Sequence, residues 1–356
     1  MRINTSTTRR FVQLLFMAVV IFTGIKFYLF VFYLEQGRLP DFARPAGVEA
    51  FLPISALVSL KHWLYTGTIN SIHPSALVLF LIICLTALIA KKGFCSWGCP
   101  IGLVSEYLAR MHFRLFKRSV RIPYILDVIL RSLKYMIAGF FIYQIFYKMP
   151  IDSIEQFIQS PYNRFADIKM LKFFTQISTT ALLVLIGLVV LSLFIQNFWC
   201  RYLCPYGALI GLLGFFSIGK INRNPSLCTS CGKCEKKCPG NIAIRQKTGI
   251  NSLECSACLT CVENCPERGA IQFSLLAGKK PIMPSFLALF FLLIFAGGIT
   301  LAKFTGNWQN VISKQEYLGY IAPASNPFSS LDQIDPEKMQ RMILMMKQLK
   351  EKQKGE

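Results

Sequence analysis

Acidic residues are scarce in this chain of 356 residues: 18 Asp and Glu stand against 39 Lys and Arg. Charged residues of either sign make up only 16%, against roughly a quarter in an average soluble domain. Histidine occurs three times. No Walker motif, Gly-rich phosphate loop or Ser-His-Asp set is present, so the chain shows no substrate-converting site of its own. No C-x-x-C-H occurs, and haem is not an expected cofactor. The 53% of hydrophobic residues and the 30 Phe exclude a disordered chain, a coiled coil and an ordinary soluble enzyme.

Long apolar runs are abundant instead. A membrane-spanning helix needs about 20 mostly apolar residues. Residues 11–34, 74–90, 178–198 and 282–302 qualify. A further stretch, 124–147, qualifies despite Asp127, Arg131 and Lys134, which fall on one helix face and read as an interfacial stripe or as a polar lining. The run 51–64 is too short and reads as interfacial or re-entrant. Basic residues concentrate in 91–123 and at the N-terminus, while the loop 35–73 is balanced. Positive-inside bias then predicts five spans, with the N-terminus, 91–123 and 199–281 in the cytoplasm. That topology absorbs much of the net charge of +21 without a nucleic-acid partner.

The 13 cysteines carry the chemistry. Residues 228–239 read CTSCGKCEKKCP and 255–266 read CSACLTCVENCP, two C-x2-C-x2-C-x3-C-P runs placed 27 residues apart. This is the bacterial two-cluster ferredoxin spacing, in which the fourth Cys of each run serves the other cluster. It predicts one [4Fe-4S] cluster on Cys228, Cys231, Cys234 and Cys265. A second falls to Cys255, Cys258, Cys261 and Cys238. Zinc knuckles would also use Cys pairs, but here eight Cys stand in a doubled register with no His among them. The segment 219–281 carries ten basic residues against four Glu. That excess reads as positive-inside bias with partial offset of anionic clusters, or as a docking face for an acidic partner.

Two further pairs, Cys95 with Cys99 and Cys200 with Cys204, share the pattern C-x3-C-P-x-G, and each follows a predicted span. They read as a third metal or cluster site, as a dithiol switch, or as packed thiols at helix ends.

The motifs RPAGVEAFLPI (44–54), IHPSAL (72–77), FCSWGCPIG (94–102) and WCRYLCPYGAL (199–209), with the two ferredoxin runs, resemble the NapH/NosR/YccM-type membrane polyferredoxins over nearly the whole chain. The resemblance implies an integral protein of the bacterial inner membrane with two cytoplasmic [4Fe-4S] clusters. It also implies exchange with the quinol pool and with a protein redox partner. The long flavin-binding domain of the NosR pattern is missing, so a flavin of that kind is not expected. A redox-sensing or metal-centre maturation role is the alternative in the same setting. Quinol oxidation needs a proton acceptor near the interface, and Glu49, His62, His73 and Asp127 are candidates.

The expected fold is an α-helical integral membrane protein with an inserted α+β ferredoxin. Its divisions are a membrane domain at 1–218, a ferredoxin at 219–281, a fifth span at 282–303 and an extracytoplasmic tail at 304–356. The tail carries an amphipathic helix over 335–354 with a Met-rich stripe.

Overall fold

The computed structural model describes residues 5–116, 122–275 and 281–321, so the predicted tail helix lies outside the described residues. Contacts divide the chain into two units: Met1–Phe27 with Pro45–Val311, and Tyr28–Arg44 with the chain from Ile312 onward.

The large unit is built mainly of helices. Helix α1 (Thr5–Glu35), whose end from Tyr28 on belongs to the small unit, is followed by α2 (Pro53–Thr66), α3 (Pro74–Ala90), α4 (Gly93–Trp97) and α5 (Pro100–Phe116). Then come α6 (Tyr124–Ile142), α7 (Ile151–Gln159), α8 (Pro161–Arg164), α9 (Ala166–Thr175), α10 (Thr179–Phe194) and α11 (Pro205–Phe215). Proline opens α2, α3, α8 and α11, where its fixed φ suits the first turn and its missing N–H costs nothing. Helix α3 is apolar on every face and packs against α2, α11 and the last long helix of the unit, which explains its uniform hydrophobicity.

By length and hydropathy, α1 and the last long helix can each cross a bilayer. The α9–α10 pair passes the same test together but bends by 77° at its break, so it is one broken span or a re-entrant loop. Helix α3 is equally apolar and stops at 17 residues. Helix α6 runs into a π-helical turn at Tyr143–Lys148. Outward apolar side chains such as Phe22 and Ile25 on α1 and Leu183 and Ile186 on α10 suit lipid contact.

Between α11 and that last helix lies a small α+β insert: β1 (Gly219–Arg223), α12 (Lys233–Lys236), β2 (Gly249–Ile250), α13 (Thr260–Glu263) and β3 (Ile271–Leu275). The strands form an antiparallel sheet in the order β2-β1-β3, with Ile221 opposite both Ile250 and Phe273, all three buried. Helix α14 (Pro284–Phe304) follows. Its Phe291 is fully buried and stacks on Trp97 at 5.7 Å.

In the small unit, α15 (Lys314–Ile321) presents Tyr317 to Phe30, edge-on at 5.6 Å, and to the Arg44 guanidinium at 5.9 Å. Lys314 Nζ donates to the Pro40 carbonyl at 2.7 Å.

Candidate functional site

The two ferredoxin runs repeat in backbone geometry as well as in sequence. Ser230 and Ala257 hold the same place in each run and both have positive φ (54° and 46°). Gly232 and Leu259, two residues further on, are also left-handed (73° and 58°) and form the N-caps of α12 and α13. A left-handed turn in non-glycine residues is uncommon and costs energy, so the loops are held in this form by their surroundings. The result is a chain wound around two cavities. One is lined by Cys228, Cys231, Cys234 and Cys265. The other is lined by Cys238, Cys255, Cys258 and Cys261, with Ile221, Ile242 and Ile250 behind them. Each cavity thus takes three thiols from one run and one from the other.

All-thiol donor sets suit iron–sulfur centres, which Cys ligates at separate iron corners. Among the described residues, no group of three or more His, Cys, Asp or Glu side chains is arranged to hold a single metal ion. A four-iron cubane needs its thiolates spread around four corners, so the wider grouping fits it. Burial holds the Cys238 thiol up at about 12 and raises Cys255 and Cys261 as well. As free thiols these groups are neutral, and a bound cation is what would hold them as thiolates.

The C-x3-C-P-x-G motifs form helix N-termini. Cys204 is the N-cap of α11, Pro205 its first residue, and the Gly207 N–H donates to Cys204 Sγ at 3.3 Å. Cys99 precedes Pro100 at the head of α5 in the same way, and the backbone N–H groups of Gly102 and Ile101 face its sulfur. The first cysteines, Cys95 on α4 and Cys200 in the π-helical turn Trp199–Leu203, complete the group. The four sulfurs lie within each other's electrostatic reach, with the Lys92 ammonium beside Cys95, Cys200 and Cys204. Burial raises their pKa values, to about 11 for Cys99 and about 12 for Cys200. Helix N-termini at the sulfurs, with the Lys92 ammonium in electrostatic range, favour an anionic occupant.

An aromatic plug sits between the cysteines of each motif. Trp97 and Tyr202 are both fully buried. Trp97 donates to the Ala257 carbonyl at 3.1 Å and Tyr202 to Asp127 at 2.5 Å. A cavity of about 510 Å³ joins the two cysteine systems, with Cys95, Cys200 and Cys258 all in its wall.

The insert is pinned to α6 and to the start of α4 by a buried charge cluster. Glu254, next to Cys255, accepts from Lys134 of α6 at 2.6 Å, from Lys92 at 3.1 Å and from Tyr135 at 3.2 Å. Burial alone would raise this carboxyl, but the two ammonium groups hold it down at about 2. Around it, the Lys92 N–H donates to the Cys255 carbonyl (3.2 Å), Ser96 to Ser256 (2.6 Å) and Arg131 to Gly240 (3.2 Å).

These contacts correct the reading of Asp127, Arg131 and Lys134 as an interfacial stripe. The stripe faces inward: Asp127 is 1% exposed and bridges Arg131 and Arg201, and Lys134 is fully buried against Glu254. Charges inside an apolar helix usually face the bundle interior and pair there, and the three charges in 124–147 were the available signal. Among the other proton-acceptor candidates, His62 is half-buried and bonds the Thr68 carbonyl at 3.2 Å. Glu49 and His73 come together, fully buried, with Oε1 3.3 Å from Nδ1. Glu49 Oε2 accepts from Ser75 at 2.5 Å and from the Ala76 N–H at 3.1 Å, while His73 Nε2 meets the Asn163 carbonyl at 2.6 Å. That pair sits at the N-terminal end of α3 and the cysteines follow its C-terminal end, roughly 25 Å away by helical rise.

Two family models match. A 4Fe-4S binding domain covers residues 72–123 and 177–224, the segments with the C-x3-C-P motifs, and a 4Fe-4S dicluster domain covers 220–266. YccM of Escherichia coli (strain K12), named for electron transport, is 40% identical over 327 residues, 90% of this chain and 91% of YccM. NirI of Paracoccus denitrificans (strain Pd 1222) is 31% identical over 210 residues, 58% of this chain and 29% of NirI. The ferredoxin-type protein NapH of Haemophilus influenzae is 24% identical over 183 residues, 48% of this chain and 57% of NapH. No solved structure gives a significant match. Likeness to YccM along nearly the whole of both chains, the doubled cysteine runs and the apolar helices lead to one assignment: the chain belongs to the NapH/NosR/YccM-type membrane polyferredoxins, iron–sulfur proteins of electron transfer.

Proposed function

We propose that this protein is a multi-pass electron carrier of the bacterial inner membrane, relaying electrons between the quinol pool and a protein redox partner. Cys228, Cys231, Cys234 and Cys265 hold one [4Fe-4S] cluster, and Cys238, Cys255, Cys258 and Cys261 hold the other. Cys95, Cys99, Cys200 and Cys204 hold a third redox centre at the membrane face. When bound, these groups supply one-electron storage and transfer. Five spans place the ferredoxin on the cytoplasmic side.

The observation that carries this reading is the cavity whose wall includes Cys95, Cys200 and Cys258. It puts the membrane thiols next to the inner ferredoxin site, with Glu254, Lys92 and Lys134 fixing the separation. The protein's own part is to hold that geometry, keep lipid and bulk water out with Trp97 and Tyr202, and offset anionic charge with the Lys92 ammonium. Asp127 braces Arg201 and Tyr202 inside the second motif, and we place the reacting end of quinol on this side of the membrane. The Glu49–His73 pair, at the far end of α3, ties the 3-10 turn Ala46–Phe51 to the helix and serves as a brace.

The test is quinol-dependent reduction followed by electron paramagnetic resonance in anaerobically purified protein. Changing Cys95, Cys99, Cys200 or Cys204 singly to Ser should abolish reduction by quinol while dithionite still reduces the ferredoxin clusters. Full quinol-linked reduction in all four variants would reduce these thiols to packing groups.

A further inference from the structure

The two ferredoxin cavities are not equivalent in exposure. The inner one has Cys255 and Cys261 buried and Cys238 and Cys258 half-buried, and residues 255–257 bond Lys92, Ser96 and Trp97 in and just before α4. The outer one has Cys234 buried but Cys231 exposed, Cys228 and Cys265 half-buried, and Thr229, Ser230 and Pro266 open to solvent. Basic side chains cluster on this outer face. Arg223 bonds Cys228, Arg245 stands in the cavity wall, and Lys233 and Arg268 directly follow the lining residues Gly232 and Glu267; Lys233, Arg245 and Arg268 are exposed. The acids here are fewer: Glu235, already paired with Arg245 at 2.8 Å, and the exposed Glu267.

Resting on the cluster assignment above, we infer that the face around Cys228, Cys231 and Cys265 is the docking surface for an acidic, soluble one-electron carrier protein. Excess positive charge around an exposed redox site concentrates an anionic partner there and orients its encounter, a gain that falls as salt screens it. One electron crosses per encounter: the reduced partner loses it and the outer cluster gains it, or the reverse, with no bond made or broken. The inner site is covered on one side by α4 and the residues before it, so exchange with soluble proteins is assigned to the more exposed outer one.

The experiment uses the full-length protein in detergent, with iron and sulfide counted first. Its oxidised clusters are mixed with an acidic flavodoxin in its hydroquinone form, which gives up one electron to the cluster, and separately with the cationic methyl viologen radical. The flavodoxin rate constant should fall roughly tenfold or more between low and high salt, and the viologen rate should rise. In a Lys233→Glu/Arg268→Glu variant with full iron and sulfide, the flavodoxin rate at low salt should drop about tenfold and the viologen rate should increase. A salt-independent flavodoxin rate in the wild type would overturn the surface on its own, whatever the variant does. So would a fully loaded variant that reacts with flavodoxin as fast as the wild type. Wild-type protein lacking iron and sulfide would overturn the cluster assignment, and the docking surface with it.

Discussion

Glu254 shows how much of this site depends on single charges. Its carboxylate, 8% exposed, is shared by two ammonium groups that are themselves buried, Lys92 just before the first motif and Lys134 on α6. Glu254→Ala leaves both cations without their carboxylate, a change that typically costs about 3–5 kcal/mol. We expect faster amide hydrogen exchange in residues 250–262 of that variant, and unchanged exchange there would show that the cluster does not fasten the insert. At the other end of α3, burial would lower the His73 pKa, but the Glu49 carboxylate, with Asp167 and the Asn163 carbonyl, raises it above the ordinary 6.5. A raised folded-state value means the pair's stabilisation is complete below about pH 6.5 and is lost as pH rises through the shifted value. Thermal unfolding from pH 6 to 10 should show this alkaline loss in the wild type and lack it in Glu49→Gln. The same slope in both would remove the pair as its origin.

At the scale of elements, the C-x3-C-P-x-G motif is a helix start whose cap is a sulfur. The two copies differ at the motif glycine. A Cβ on Gly102 would lie 2.0 Å from the Cys95 carbonyl oxygen, so the backbone of α4 would have to move. A Cβ on Gly207 meets the Cys200 carbonyl at 3.5 Å and Cys204 Sγ at 3.6 Å, ordinary contacts. Gly102→Ala should therefore disrupt quinol-linked reduction in the assay above, while Gly207→Ala should leave it within about twofold. Equal effects would mean that the close approach to Cys95 is not what the glycine serves. The sequence pattern already pairs these motifs and groups the ferredoxin thiols crosswise, because both follow from spacing over a few residues. It is silent on the partners of Asp127, Lys134 and Glu254. Those contacts join residues 74 to 162 apart along the chain, and local periodicity carries no such information. The bend between α9 and α10 is hidden for a similar reason: the apolar run that includes α10 reads as one straight span.

For the whole molecule, length and hydropathy among the described residues single out α1 and α14 as able to cross a bilayer, and the bent α9–α10 pair makes a third if it is one span. The five-span arrangement asks more of α3, which is only 17 residues long, and of α6, which is 19 residues long but carries Asp127, Arg131 and Lys134. A reporter fused after Pro281 should read cytoplasm and one after Gly306 periplasm; the opposite pair would invert the topology. Iron content decides whether the cysteine runs hold clusters. Combined iron, sulfide and Mössbauer analysis of anaerobically purified protein, alone and with Cys265→Ser, tests it most directly. About eight iron and eight sulfides belong to the ferredoxin insert, and any excess belongs to the membrane motifs. Cys265→Ser should damage the cluster seated by Cys228, Cys231 and Cys234 and spare the one beside it in sequence. Zinc without sulfide, or loss of the cluster on Cys255, Cys258 and Cys261 instead, would contradict the account.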